Sequence, residues 1–299
     1  MKRTELRFLT RIHTMRSITR SLSLTALMIG VSLAFLPALM WMRGETAGAP
    51  GADPRAAKAP AASEVENQAL TYNVYWRTAN AGVATIRVER EPNADHLRIS
   101  GDAHSSRFVS TLYRVEDQFE SMVSLKNFCS LRIMKRINEG RWHRETVVDF
   151  PPGQKTAQLQ DRSLVFPSSP TRKAQMATPG CVQDVLSALF YMQTQTFTLG
   201  KSVQFPVNDG GKTYDVTVEI QQRETIKTDA GTFQTIRVEP KVFGGLFRQT
   251  GRMYVWYTDE PSHRLVQLKA RISVGTITAS LAPKPGAQAG GMAATAAGH

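Results

Sequence analysis

From Leu70 to Leu281 the chain repeats one pattern: large apolar and polar residues alternate in short runs, separated by clusters of Gly, Pro, Asn and Asp. A period of two puts every second side chain on the same face of a strand. Leu70-Thr-Tyr-Asn-Val-Tyr-Trp76 and Ala81-Gly-Val-Ala-Thr-Ile-Arg-Val-Glu89 read as a hairpin across a short turn. His96–Gly101, Arg114–Val123, Ser130–Arg136 and Trp142–Phe150 continue the meander, with a weaker run at 155–159. Further runs follow at 202–207, 212–220, 222–228, 232–240, 252–257, 263–272 and 275–281. Asp209-Gly-Gly and Asp229-Ala-Gly mark hairpin turns among them.

Alternation means that one face of each strand is buried and the other wet, which is the habit of antiparallel sheets. About a dozen such strands curl rather than lie flat, and curling also hides edges that would aggregate. The expected fold is therefore mainly β: a single strongly curved antiparallel sheet, an open or closed barrel, with one short helix packed on or in it. Two packed sheets are the alternative. The helix is expected in Thr178-Pro-Gly-Cys-Val-Gln-Asp-Val-Leu-Ser-Ala-Leu-Phe-Tyr-Met-Gln-Thr194. Val182, Val185, Leu186, Leu189 and Met192 recur there at helical spacing, with Gln183, Asp184, Ser187 and Gln193 mainly on the other side. Thr178 suits an N-cap and Pro179 the first helical position. A helix of about twelve residues is marginal alone, so it must bury its stripe against the sheet.

The ends of the chain are different. Six basic residues, Lys2 to Arg20, precede an uncharged run from Ser21 to Met42. As a helix that run would span roughly 33 Å, enough for a bilayer core. The charge bias places the N-terminus in the cytoplasm and the remainder outside it. An uncleaved signal anchor is favoured over a cleaved signal peptide, because the run exceeds a usual signal core and Pro50 follows the Ala47-Gly48-Ala49 candidate cut. The organisation expected is a basic cytoplasmic 1–20, a transmembrane 21–42, an Ala/Pro/Gly linker 43–66, a periplasmic β-barrel-like domain 67–282 and a tail 283–299.

The formal charge of +12 divides evenly. Residues 1–43 hold seven Lys/Arg and one Asp/Glu, and the other 256 hold thirty and twenty-four, so each part carries +6. The larger part lacks a basic run, a basic helical stripe or zinc spacing, which argues against nucleic acid. In an exported chain the two cysteines, Cys129 and Cys181, suggest a disulfide, with two buried free thiols as the alternative. The bond would close a loop of about fifty residues and contribute roughly 4 kcal/mol in the chain-entropy picture.

No histidine pair has metal spacing, and no G-x-S-x-G, Walker or G-x-G-x-x-G sequence occurs. Hence no catalytic residue, metal ligand or cofactor is expected. Ser105, His143 and Asp184 make a triad on paper only, and Asp117, Glu120 and Asp184 fit capping or ion pairs better than a glycan-cleaving carboxylate pair. The apolar, glycine-bearing stretch Val242-Phe-Gly-Gly-Leu-Phe-Arg248 stands out between two strands. Its Phe243, Leu246 and Phe247 are candidates for a flap at a ligand mouth, against the simpler reading of a loop packed over the barrel end.

Several short pieces stand in a fixed order along the chain. They are Leu70-x-Tyr-x-Val-x-Trp76 with Ala81-Gly82, Tyr113-x-Val-x-Asp117-x-x-Glu120-Ser121, and Asp184-Val-Leu-Ser-Ala-Leu-Phe-Tyr191. Gly231-x-Phe233 before Val238-x-Pro240, Gly251-x-Met-x-Val-Trp256 with Thr258-Asp259, and Gly275-x-Ile-x-Ala279-x-Leu281 complete the set. In this order the pieces resemble the bacterial domain of unknown function 3108; the resemblance covers roughly 68–282 and implies an exported envelope protein with a β-barrel-like fold, without an activity to transfer. The function expected is a non-enzymatic periplasmic domain, anchored to the inner membrane, that binds an apolar or amphipathic envelope component such as a lipid in a cavity. A structural or interaction protein with a filled barrel is the second reading, and a glycan-acting enzyme the third.

Overall fold

The computed structural model describes residues 65–242, 252–272 and 275–284. The first half of the chain forms β1 (Gln68–Trp76), β2 (Ala79–Arg90), β3 (His96–Ser105), β4 (Glu116–Ser124), β5 (Ser130–Glu139), β6 (Trp142–Asp149), β7 (Thr156–Ser163) and β8 (Arg172–Ala177). The second half forms β9 (Gln183–Asp184), β10 (Ser202–Asp209), β11 (Lys212–Thr228), β12 (Gly231–Val242), β13 (Met253–Thr258), β14 (Leu265–Ile272) and β15 (Gly275–Leu281). All fifteen strands join one sheet in the order β8 to β1, then β15 to β9. The first and last strands therefore pair at the centre, Val74 opposite Ala279, and the edges are β8 and β9. Every pairing is antiparallel except β9 with β10.

The alternation works as the period requires. In β1 the side chains of Leu70, Tyr72 and Val74 are buried, and in β4 those of Asp117, Phe119, Ser121 and Val123. These inner positions, strand after strand, form one continuous apolar core. Gly82 of β2 sits where a Cβ would meet the His104 carbonyl oxygen of β3 at 2.1 Å, so only glycine lets these backbones approach so closely.

The sheet curls but does not close, because β8 and β9 share no ladder. Across this opening, contacts among the described residues bring the two halves together. The Ser130 N–H donates to the Val182 carbonyl at 2.9 Å, and Lys135 of β5 reaches Asp209 of β10. Met176 and Leu159 press against Gly211 in the β10–β11 turn. Cys129 and Cys181 are joined by a disulfide with their Cα atoms 5.2 Å apart.

Four expectations need correction. The helix α2 spans only Ser187–Gln193, far shorter than 178–194. Its expected first turns are drawn out as extended chain, because Cys181 is tied to Cys129, Val182 bonds Ser130, and Gln183–Asp184 pairs with β10. A second short helix, α1 (Arg107–Leu112), links β3 to β4, capped by the Ser106 hydroxyl accepting from the Val109 N–H. Finally, β8 carries too little apolar alternation to be read as a strand, and the runs at 212–220 and 222–228 are one 17-residue strand with a register shift between Ile220 and Gln222. Among the described residues no helix is long and apolar enough to cross a membrane; the run 21–42 lies outside them.

Candidate functional site

The polar residues of the helix segment, expected on the side away from the apolar stripe, are instead buried. Asp184 and Ser187 are fully buried, and Gln183 and Gln193 nearly so, alongside Leu186 and Phe190. The reason is the curl: α2 lies between the two halves and turns Ser187, Phe190, Met192 and Gln193 inward, with Ala188, Leu189 and Tyr191 partly exposed. The interior supplies a polar patch to receive it, in Ser121 of β4 and Ser130 of β5.

Asp184 is the centre of this patch. One carboxylate oxygen accepts from the Ser121 hydroxyl at 2.5 Å and the Ser130 hydroxyl at 2.8 Å. The other accepts from the backbone N–H groups of Leu186 at 2.8 Å and Ser187 at 2.9 Å. Those two N–H groups open α2, so Asp184 caps the helix from two residues before its conventional cap, Leu186, which has no capping side chain. The Asp184 N–H donates in turn to the Ser130 and Ser187 hydroxyls, at 2.7 and 2.9 Å, and those hydroxyls lie 2.9 Å apart. A buried carboxylate is tolerable only when its lone pairs are satisfied, and here four donors do so.

Further bonds hold α2 from other sides. The Tyr257 hydroxyl of β13 donates to the Leu189 carbonyl at 3.0 Å. Burial pushes the Tyr257 and Tyr72 hydroxyls well above the usual tyrosine range, so both stay protonated donors. Tyr191 packs edge-on against Phe205, with ring centres 4.8 Å apart, and near Phe128 at 6.1 Å. Lys135 and Asp209 form a second buried polar contact across the halves at 2.5 Å, their side chains 5% and 7% exposed. Burial pushes the Asp209 carboxyl upward, against the opposing pull of the Lys135 ammonium.

The sequence candidates fall apart from one another. The disulfide pair lies beside the patch, at the starts of β5 and the α2 segment. Ser105 bonds Ser110 at 2.7 Å, His143 faces Asn138 at 3.1 Å, and Asp184 is bound inside, so no triad assembles. Asp117 is fully buried and accepts from the Asn138 N–H at 2.7 Å, whereas Glu120 lies near Arg98 at 4.0 Å on the outer face. Asp117 and Ser121, the contact of Asp184, are four positions apart on β4, about 13 Å. Phe243, Leu246 and Phe247 lie outside the described residues. Among the described residues no cluster of His, Cys, Asp and Glu could hold a metal. The serines were missed by sequence reasoning; Ser121 and Ser130 sit at inward positions of alternating strands, the one signal that could have found them.

A meandering antiparallel sheet, curled round a helix and left open between two edge strands, defines a β-barrel-like protein. The chain belongs to the family described as Protein of unknown function (DUF3108), whose model matches residues 71–282. It is similar in fold to a solved β-barrel-like protein of domain of unknown function DUF1849 from Brucella abortus, with TM-score 0.52, 8% identity, and 72% of this chain and 95% of that chain covered. A weaker likeness links it to a protein described as exported, with a YmcC-like fold, from Bacteroides fragilis, at TM-score 0.31 and 11% identity over 73% of this chain and 96% of that one. No curated protein matches the chain.

Proposed function

We propose that this is a non-enzymatic protein of the bacterial envelope that works through its outer surface, as an interaction or structural component, with an interior filled by its own chain. The observation that carries this reading is the seating of α2. Leu186, Ser187 and Phe190 are fully buried and Gln193 almost so, between the two halves of the sheet. The polar groups inside are spent on fixing that helix, since the Asp184 carboxylate is saturated by four donors. Out of reach of solvent, it has no substrate to act on.

The envelope address is supported by the basic flank and uncharged run of the leader, and by a disulfide, which suits an oxidising compartment. We place the domain in the periplasm, held at the inner membrane by residues 21–42. The test is native mass spectrometry of the full chain released from mild detergent. The expected spectrum shows protein without a retained lipid at fixed stoichiometry. One lipid held per chain after detergent removal overturns the filled interior and restores the carrier reading.

A further inference from the structure

In an antiparallel meander, connections alternate between the two ends of the sheet. Five described connections share one end: the β1–β2 turn, the α1 segment, the β5–β6 turn, the β7–β8 connection and the β10–β11 turn. Residues 77–78, 106–115, 140–141, 164–171 and 210–211 make them up. They carry four arginines, Arg77, Arg107, Arg114 and Arg141, and no Asp or Glu. Glu116, the first residue of β4, pairs with Arg114 at 2.5 Å. The connections at the other end are of mixed sign, with Glu91, Asp95, Asp229, Asp259 and Glu260 against Lys126, Lys155, Lys201 and Arg264.

The apolar side chains divide in the same way. Eight large ones are exposed among the described residues, and six stand on the arginine-bearing end: Trp76, Phe108, Leu112, Trp142, Val165 and Phe166. Phe108 and Leu112 are one helical turn apart on α1 and 73% and 79% exposed. Val109, on the other side of that helix, packs toward the core, so α1 is held with its apolar pair outward. Leu199 alone lies at the opposite end, and Val83 is within β2.

We propose that this end of the sheet docks on the surface of an anionic phospholipid bilayer. Aromatic and aliphatic tips enter the interface, and the arginines meet lipid phosphates, to which guanidinium groups bind bidentately. The tips sit on separate connections spread from β1 to β8, seven strand spacings or about 34 Å along the curved edge. Such a spread suits a broad soft surface, whereas a peptide would need a continuous groove. The chain enters β1 at the far end, but residues 43–66 can extend to about 80 Å, more than the roughly 30 Å of a nine-residue strand. A domain tethered at residues 21–42 can therefore turn this end onto the same membrane.

The inference rests on the reading that the working surface is external, yet it fails separately. A lipid retained inside the fold would sink that reading and leave the following result unchanged. The full chain is placed in protein-free nanodiscs of phosphatidylcholine, with or without phosphatidylglycerol, and followed by hydrogen exchange. Segments 106–115, 140–142 and 164–166 are expected to exchange more slowly in anionic discs, with 91–95 and 259–264 unaffected. High salt should weaken the protection. Phe108→Ser with Leu112→Ser should abolish it, and each of Arg77→Gln, Arg107→Gln and Arg141→Gln should lower it roughly fivefold. Those side chains lie at the surface, and an unchanged unfolding midpoint confirms intact folding. Equal exchange in anionic discs, zwitterionic discs and detergent overturns the proposal. Protection that appears only in discs carrying other envelope proteins also overturns it, in favour of a protein partner.

Discussion

Replacing Asp184 by alanine removes the acceptor of four hydrogen bonds at the centre of the fold. Their fates differ. The Ser130 hydroxyl can turn to Ser187, already 2.9 Å away, and Ser121 can rotate within its strand. The N–H groups of Leu186 and Ser187 cannot move, because they begin α2 and point at the lost carboxylate. Each buried donor left unpaired costs about 1–3 kcal/mol, so the two together cost about 2–6 kcal/mol. That is a large share of a typical stability of about 5–15 kcal/mol. For a unit of this size about 1 kcal/mol moves the melting midpoint by about 2–4 °C, so Asp184→Ala should fall by roughly 5–20 °C. Asp184→Asn keeps one oxygen acceptor and should fall by about half as much. Denaturant titration followed by tryptophan fluorescence and circular dichroism, with the disulfide intact, measures both. An alanine variant within about 1 kcal/mol of the parent would refute the idea that Asp184 locks the helix into the sheet.

Other outcomes follow from the same contacts. The Cys129–Cys181 bond spans 52 residues of sequence, so reduction should lower stability by about 4 kcal/mol; alkylation of the unreduced, denatured chain should label no cysteine, and two labelled cysteines would show that the pair is free. Lys135→Met leaves Asp209 facing an apolar partner and should cost about 3–5 kcal/mol, while adding Asp209→Leu should recover most of it in a denaturant titration. Arg136 and Arg162, opposite Glu145 on the two neighbouring strands, hold its carboxyl below the usual range. A depressed carboxyl stabilises the fold above the ordinary Glu value of about 4.3 and loses that effect as pH falls through the folded value, so the denaturant midpoint should drop below about pH 4.5, less steeply in Glu145→Gln. Asp209 acts with opposite sign, since its raised carboxyl favours the fold on the acid side and loses that effect as pH rises.

How much of this could be read from the sequence depends on the range of the forces involved. The alternation in β1, β2 and β4 is set by neighbouring residues, and those strands appear where the period places them. The one-sheet meander was legible for the same reason. The helix was misjudged because an apolar stripe at helical spacing says nothing of distant competitors. Residues 181–184 have such competitors in Cys129, Ser130 and β10, all remote in sequence. The polar side chains of the segment looked like a wet face and became the buried lock, because the curl of the sheet surrounds them.

The basic, apolar end shows the same division more sharply. Arg107, Phe108 and Leu112 are visible to any reader of the chain, as are Arg141 and Trp142. Which connections share an end depends on strand parity, and overlooking β8 or splitting β11 changes that parity. By itself the sequence determined a curved antiparallel β-domain that follows an uncharged run at 21–42, since period-two patterning and charge distribution are local properties of the chain. The tertiary structure alone decided that Leu186, Ser187 and Phe190 are buried between the halves and that the arginines and exposed aromatics gather on one rim, since both depend on strand order and curvature.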